Sequence, residues 1–182
     1  MKNNLFGIIK AVVFAVLIGF CISIFYPTGY AQQINVASGR IISTAQDSDS
    51  FDADDFQILD LINTERAKNG LSQLSWDDDL ASIARDYSER MARENFFSHF
   101  DSNGQSVLER AKTAKLKHWS KIGENLFSCE NVSRFDGFAV QNWMNSPTHR
   151  ENILDDEWTA TGVGIAKSES GEIFITQIFI KH

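Results

Sequence analysis

Apolar positions along this chain change their spacing from segment to segment, and the changes mark its elements. Phe56, Leu59 and Ile62 recur at helical spacing, Ile58 and Leu61 widen the stripe, and Gly70 supplies a stop. Leu80, Ile83, Ala84, Tyr87 and Met91 repeat that pattern behind an aspartate cluster suited to a helix N-terminus, so a second helix is expected to end near Asn95. Residues 96–104 read as an aromatic loop that holds His99, and Ser106 with Glu109 forms a capping box opening a short helix with Arg110. Glu124 lies among apolar neighbours in residues 122–126, next to Gly123, which permits close backbone approach. An acid there is half-buried or at a strand edge.

Ser133 opens a further helix, with Phe135, Ala139 and Trp143 on one face and Phe138 beside them. Ser146 and Pro147 suit the start of the next: serine can cap free N–H groups, and proline at the first position loses no hydrogen bond. His149 then falls in a first turn, where the helix dipole favours neutral imidazole. After Leu154 the period becomes two. Val163 and Ile165 alternate within Ala160–Lys167, residues 168–171 supply a turn, and residues 173–180 are apolar on both faces apart from Thr176 and Gln177. This reads as an antiparallel hairpin in a sheet covered on both sides, hence an α+β layered domain over residues 56–182.

The N-terminus departs from these patterns. Lys2 and Lys10 precede an apolar run that is broken by Pro27 and Gly29 and closes on Ala31, the layout of a secretory signal peptide over residues 1–31. An uncleaved membrane anchor is the alternative, because residues 5–26 are near the length that spans a bilayer. Residues 32–55 are polar and carry five aspartates, which reads as an acidic linker. The aspartates lack the glycine and the closing glutamate of a calcium loop.

Composition narrows the function. The 182 residues carry 17 basic and 24 acidic side chains, a net charge of −7, which becomes −9 without the first 31 residues. No broad basic surface is indicated, so nucleic acid is not expected as a partner. Removing the same segment takes Cys21 and leaves Cys129 alone, so the domain must be held by its core rather than by a disulfide.

Three residues offer site chemistry: His99, Glu124 and His149. Two neutral imidazoles and a carboxylate suit zinc, yet separations of 25 residues match no local metal motif. His118 and His182 read as solvated. Ser146 followed by His149 one turn later resembles a nucleophile and base only by spacing, because a capping serine turns its oxygen to the backbone and no nucleophile elbow is present. Cys129 reads as a small buried apolar residue. Asn131, Val132 and Ser133 spell a glycosylation sequon, relevant only in a source that glycosylates.

Taken in order, several segments resemble the cysteine-rich secretory protein, antigen 5 and pathogenesis-related (CAP, or SCP-like) superfamily in its bacterial extracellular form. They are Asn63, Arg66, Gly70, Leu71, Leu74 and Trp76; Ser98 and His99; Gly123, Glu124 and Asn125; residues 143–154; Gly162 to Gly164; and Thr176 to Phe179. The resemblance implies a three-layer α-β-α sandwich with the C-terminal hairpin in its central sheet. It also implies a cleft gathering two histidines, here His99 and His149, and an acid, here Glu124, a set that holds zinc in some members. A second acid follows the tryptophan by three residues in eukaryotic members, and Ser146 takes that place. A divalent ion would then be held by fewer charges.

The expected function is a secreted or cell-envelope binding module. Its cleft of His99, Glu124, Ser146 and His149 would take a small ligand, a lipid or an envelope partner, with weak zinc affinity at His99, His149 and Glu124. The membrane would be met only through an uncleaved N-terminal segment. The alternative is a zinc-dependent hydrolase of an extracellular peptide, ester or glycan with Glu124 as general base. A purely architectural role for the same residues is the third reading.

Overall fold

The computed structural model describes residues 48–182. The expected signal peptide and residues 32–47 of the expected linker lie outside them. Within the described residues the order is α1 (Ser48–Lys68), β1 (Ser75–Trp76), α2 (Asp78–Glu94), α3 (Val107–Thr113), β2 (Lys121–Cys129), α4 (Phe135–Asn145), α5 (Pro147–Leu154), β3 (Ala160–Lys167) and β4 (Ile173–Lys181). The strands form one sheet in the order β1-β3-β4-β2, with β1 parallel to β3 and the other neighbours antiparallel. The expected hairpin is β3–β4, and β4 is its central, fully covered strand.

Alternation along β4 sorts its side chains to two faces. Ile173, Ile175 and Phe179 join Ile58 and Ile62 of α1, Ala139, Val140 and Trp143 of α4, and Ile153 of α5. Ile178 and Ile180 meet Leu80, Ile83 and Ala84 of α2, while Phe174 meets Tyr87 and Met91. Helices therefore cover both faces, the α-β-α arrangement. On the α2 side the approach is very close: a Cβ on Gly162 would lie 2.2 Å from the backbone nitrogen of Ala81. Glycine in β3 lets α2 rest on the strand backbone, and Ser88 donates a 2.8 Å hydrogen bond to the Gly164 carbonyl.

Helix α2 and α3 start as read, with Asp77 accepting from Leu80 N and a complete capping box at Ser106 and Glu109. Helix α4 starts two residues after Ser133, at Phe135. Helix α1 differs more. It begins at Ser48, so residues 48–55 form its first turns rather than a linker. Asp55 is buried and pairs with Arg85 of α2, and Phe56 turns outward, 49% exposed, against the Trp76 ring at 4.6 Å. The buried face of α1 mixes Ile58 and Ile62 with Asp55, Asn63 and Arg66, so apolar residues alone do not trace it.

Those polar residues act as fasteners. Asn63 exchanges hydrogen bonds with the Leu74 backbone, Nδ2 to O at 3.1 Å and N to Oδ1 at 2.8 Å. Arg66 sends Nε to the Ser72 carbonyl and one terminal nitrogen to the carbonyls of Ile153 and Asp155, tying the exit of α1 to the end of α5.

Candidate functional site

The site is built around β2, an edge strand of the sheet. Its alternation points Glu124 towards the α2 side, opposite Ile178, and Asn125 to the other side, opposite Gln177. Residues 143–154 are latched to that strand from above. The Trp143 indole N–H donates to the Leu126 carbonyl at 2.9 Å, Asn152 donates to the carbonyl of Glu124 at 3.2 Å and to Asn125 Oδ1 at 2.9 Å, and Asn125 Nδ2 donates to the His149 carbonyl at 3.2 Å. The strand and α5 therefore move as one piece.

His99 arrives from the other side. Asn95 ends α2 in the left-handed conformation, and Phe96 packs edge-on to Tyr87. The loop is then organised by Asp101, whose Oδ1 accepts from the backbone nitrogens of Asn103 and Gln105 at 2.8 and 2.9 Å and whose Oδ2 pairs with Arg90 at 2.5 Å. The Gln105 N–H, aided by Asn103 and Arg90, holds the Asp101 carboxyl below the usual range. Phe97 and Phe100, 52% and 59% exposed, stand on either side of His99 in sequence.

The Glu124 carboxylate, its side chain 3% exposed, has a partner on each oxygen. Oε1 lies 2.8 Å from His99 Nδ1, and Oε2 accepts from Arg110. A buried carboxylate is stable as an anion only with such partners, and removing one partner of a buried pair costs about 3–5 kcal/mol. Arg110 also stacks on the Tyr87 ring, 3.3 Å from its centroid. Burial pushes the Tyr87 hydroxyl up to about 12, so it stays protonated and donates to the Ser98 carbonyl at 2.6 Å.

His149 lies on α5, half-buried. Burial, and then the charge of His99, hold its imidazole below the ordinary histidine value. Ser146 sits at the joint between α4 and α5. Its backbone N–H closes α4 on Asn142 and Trp143 and its carbonyl accepts from Arg150 N, but its hydroxyl makes no cap hydrogen bond. The expected side-chain cap is absent.

Among the described residues no group of three or more His, Cys, Asp and Glu is placed to hold a metal. Glu124 is committed to Arg110 and His99, so the set His99, Glu124 and His149 does not fit a three-ligand zinc site. Each carboxylate oxygen thus already has a side-chain partner. His118 and His182 are exposed as expected, joined by a 3.1 Å contact from His182 Nδ1 to the His118 carbonyl. Cys129 is buried. An open concavity of about 800 Å³ lies elsewhere, lined by Met144, Arg150, Leu154 and Asp156 among others, and by none of the three site residues.

Arg110, Tyr87 and Asp101 escape a reading of the sequence as site residues, because their roles depend on partners 11 to 14 positions away in the chain. Asn125 is visible only as the third residue of the Gly-Glu-Asn segment.

Comparison with known proteins agrees with this architecture. The cysteine-rich secretory protein family model, CAP, matches residues 59–179. Two Bacillus subtilis (strain 168) proteins are similar. The uncharacterized membrane protein YlbC is 36% identical over 126 residues, 69% of this chain and 34% of YlbC. The uncharacterized protein YkwD is 34% identical over 138 residues, 76% of this chain and 51% of YkwD. This chain thus spans only about a third to a half of the curated relatives it matches. Among solved structures, an extracellular protein containing an SCP domain from Bacillus anthracis str. Ames superposes with a TM-score of 0.68 at 31% identity, covering 80% of this chain and 45% of that one. With the family model matched across α1 to β4 and the fold shared, the chain belongs to the cysteine-rich secretory protein (CAP) family.

Proposed function

We propose that this CAP domain is a binding module of the cell envelope or the extracellular space, and that its ligand engages His99 with the apolar side chains of Phe97 and Phe100 beside it. The observation that carries this reading is the state of Glu124, whose two oxygens hold Arg110 and His99 rather than facing outward as a base or a ligand. The acid orients a histidine. That histidine is half exposed, 50% at its side chain, and the exposed large apolar residues at its flanks give a ligand somewhere to bury carbon. The Bacillus anthracis protein is described as extracellular and YlbC as a membrane protein, which supports the location.

The hydrolase reading asks Glu124 to take a proton from water while both of its oxygens already have side-chain partners, Arg110 and His99. The test is an isotope-labelled sample of the full chain titrated separately with muropeptides and with phospholipid micelles. Shifts centred on Phe97, His99, Phe100 and His149 support the reading. Shifts centred on Met144, Arg150 and Asp156 would move the binding site to the concavity that those residues line, and hydrolysis of a muropeptide bond lost in Glu124→Ala would favour the enzyme.

A further inference from the structure

Glu124 and Arg110 together determine more than the position of His99. An arginine in a protein keeps its proton, so all of its nitrogens are donors, and Glu124 Oε2 must accept from it. An ionised carboxylate has no proton to give. The 2.8 Å contact from Oε1 to His99 Nδ1 therefore carries a hydrogen that belongs to the imidazole. In neutral His99 that places the proton on Nδ1 and leaves Nε2 bare, the reverse of the tautomer that dominates for a free histidine side chain in water.

We propose that Arg110 is the positioning residue for His99: it keeps Glu124 anionic, Glu124 fixes His99 as the Nδ1–H tautomer, and Nε2 is left as the hydrogen-bond acceptor that a ligand would meet. The ligand group at that nitrogen is then a donor, such as a sugar hydroxyl, an amide N–H or an ammonium, and an anion lacking a proton is disfavoured there. The ligand class rests on the binding reading above, whereas the tautomer stands without it.

Three further contacts place Arg110 in this role. The guanidinium nitrogen that does not meet Glu124 donates to the carbonyl of His99 itself at 3.3 Å and to that of Gln105 at 3.2 Å. One arginine thus holds the main chain of His99 and the acid that holds its ring. The Tyr87 face lies under the guanidinium, and the Tyr87 hydroxyl binds the Ser98 carbonyl, the residue just before His99. Arg110 Nε is buried with no hydrogen-bond partner, so this placement leaves one donor unsatisfied while serving His99 with the other two nitrogens.

The experiment reads the ring nitrogens of His99 by 15N NMR in the full chain, on the alkaline side of its own titration. In the unaltered protein Nδ1 should show the shift of a protonated ring nitrogen and Nε2 that of a bare one. Arg110→Met should move both signals towards the average of the two tautomers, because Glu124 and the His99 main chain lose the side chain that holds them together. Arg110→Lys should keep the original pattern. Glu124→Gln should invert it, since the amide oxygen is claimed by Arg110 and the amide N–H₂ then donates to the ring. His118 and His182 are the internal references and should not change. A His99 carrying its proton on Nε2 in the unaltered protein overturns the proposal. So does an unchanged pattern in folded Arg110→Met, and where that variant does not fold, an unchanged pattern in Glu124→Gln does the same. A ligand later found to bind elsewhere would remove only the donor assignment.

Discussion

Gly164 of β3 lies against the backbone of Arg85 in α2 so closely that a Cβ on the glycine would stand 2.0 Å from the Arg85 nitrogen. No rotamer relieves a clash with main chain, so Gly164→Ala must separate α2 from the sheet. Overpacking of this kind costs about 1–3 kcal/mol when side chains can give, and more where only backbone can. Urea unfolding should show a loss of about 3 kcal/mol or greater. Gly137→Ala is the contrast: that glycine lies in α4 with nothing within 4 Å of the added Cβ. It should be neutral or gain about 0.5–1 kcal/mol. Equal losses in the two variants would show that the α2 contact does not set the cost.

Ser146→Ala should change stability by less than about 0.5 kcal/mol, although loss of a capping serine typically costs about 1. The hydroxyl makes no cap hydrogen bond, and the backbone bonds at this joint survive the change. A thermal shift of several degrees would mean that the hydroxyl does cap α5 in solution.

His149 gives the fold a pH dependence of known sign. Burial and the His99 charge lower its value from 6.5, so between the folded and unfolded values the unfolded chain binds more protons. The resulting stability is present above about pH 6.5 and is lost as the pH falls through the lower, folded value. Melting temperature should therefore drop from pH 7 to pH 5, and His149→Gln should flatten that part of the curve. A slope unchanged by the substitution would assign the loss to other groups.

Zinc should not be retained. With Glu124 tied to Arg110 and His99, only two imidazoles remain, and structural and catalytic zinc sites use three or four protein ligands. One equivalent of zinc surviving gel filtration, and lost in His99→Ala, would show that Glu124 leaves Arg110 to coordinate the ion.

Phe97→Ser and Phe100→Ser should leave stability within about 0.5 kcal/mol, because both rings are already more than half exposed. The same changes should weaken whichever of the two ligands perturbs His99. Stability lost without any effect on binding would make the rings part of the loop's packing.

Much of the fold is legible in the sequence because its patterns are local. The alternation of Val163 and Ile165 in β3, the continuous apolar run of β4, the stripe of α2 and the capping box of α3 are each satisfied within a few residues. Helix α1 is harder to read because charged and amide side chains occupy its buried face, and Asp55 reveals itself only through Arg85, 30 positions on. Strand β1 has two residues, too few for any alternation to show. The histidines and Glu124 can be picked out by chemistry and resemblance. The state of Glu124 cannot, since it depends on Arg110 arriving from α3.

The donors from Trp143 and Asn152 have an effect beyond holding α4 and α5 in place. A strand at the margin of a sheet presents bare carbonyls to any extended chain that drifts past, the usual seed of strand exchange and fibril growth. Here the outward carbonyls of Leu126 and Glu124 are already occupied by an indole and an amide from the same chain. At the opposite margin the two residues of β1 cover only the start of β3. The segment that carries His149 thus also shields the β2 margin from other copies of the chain, and loosening it should make the protein sticky before it makes it unfold.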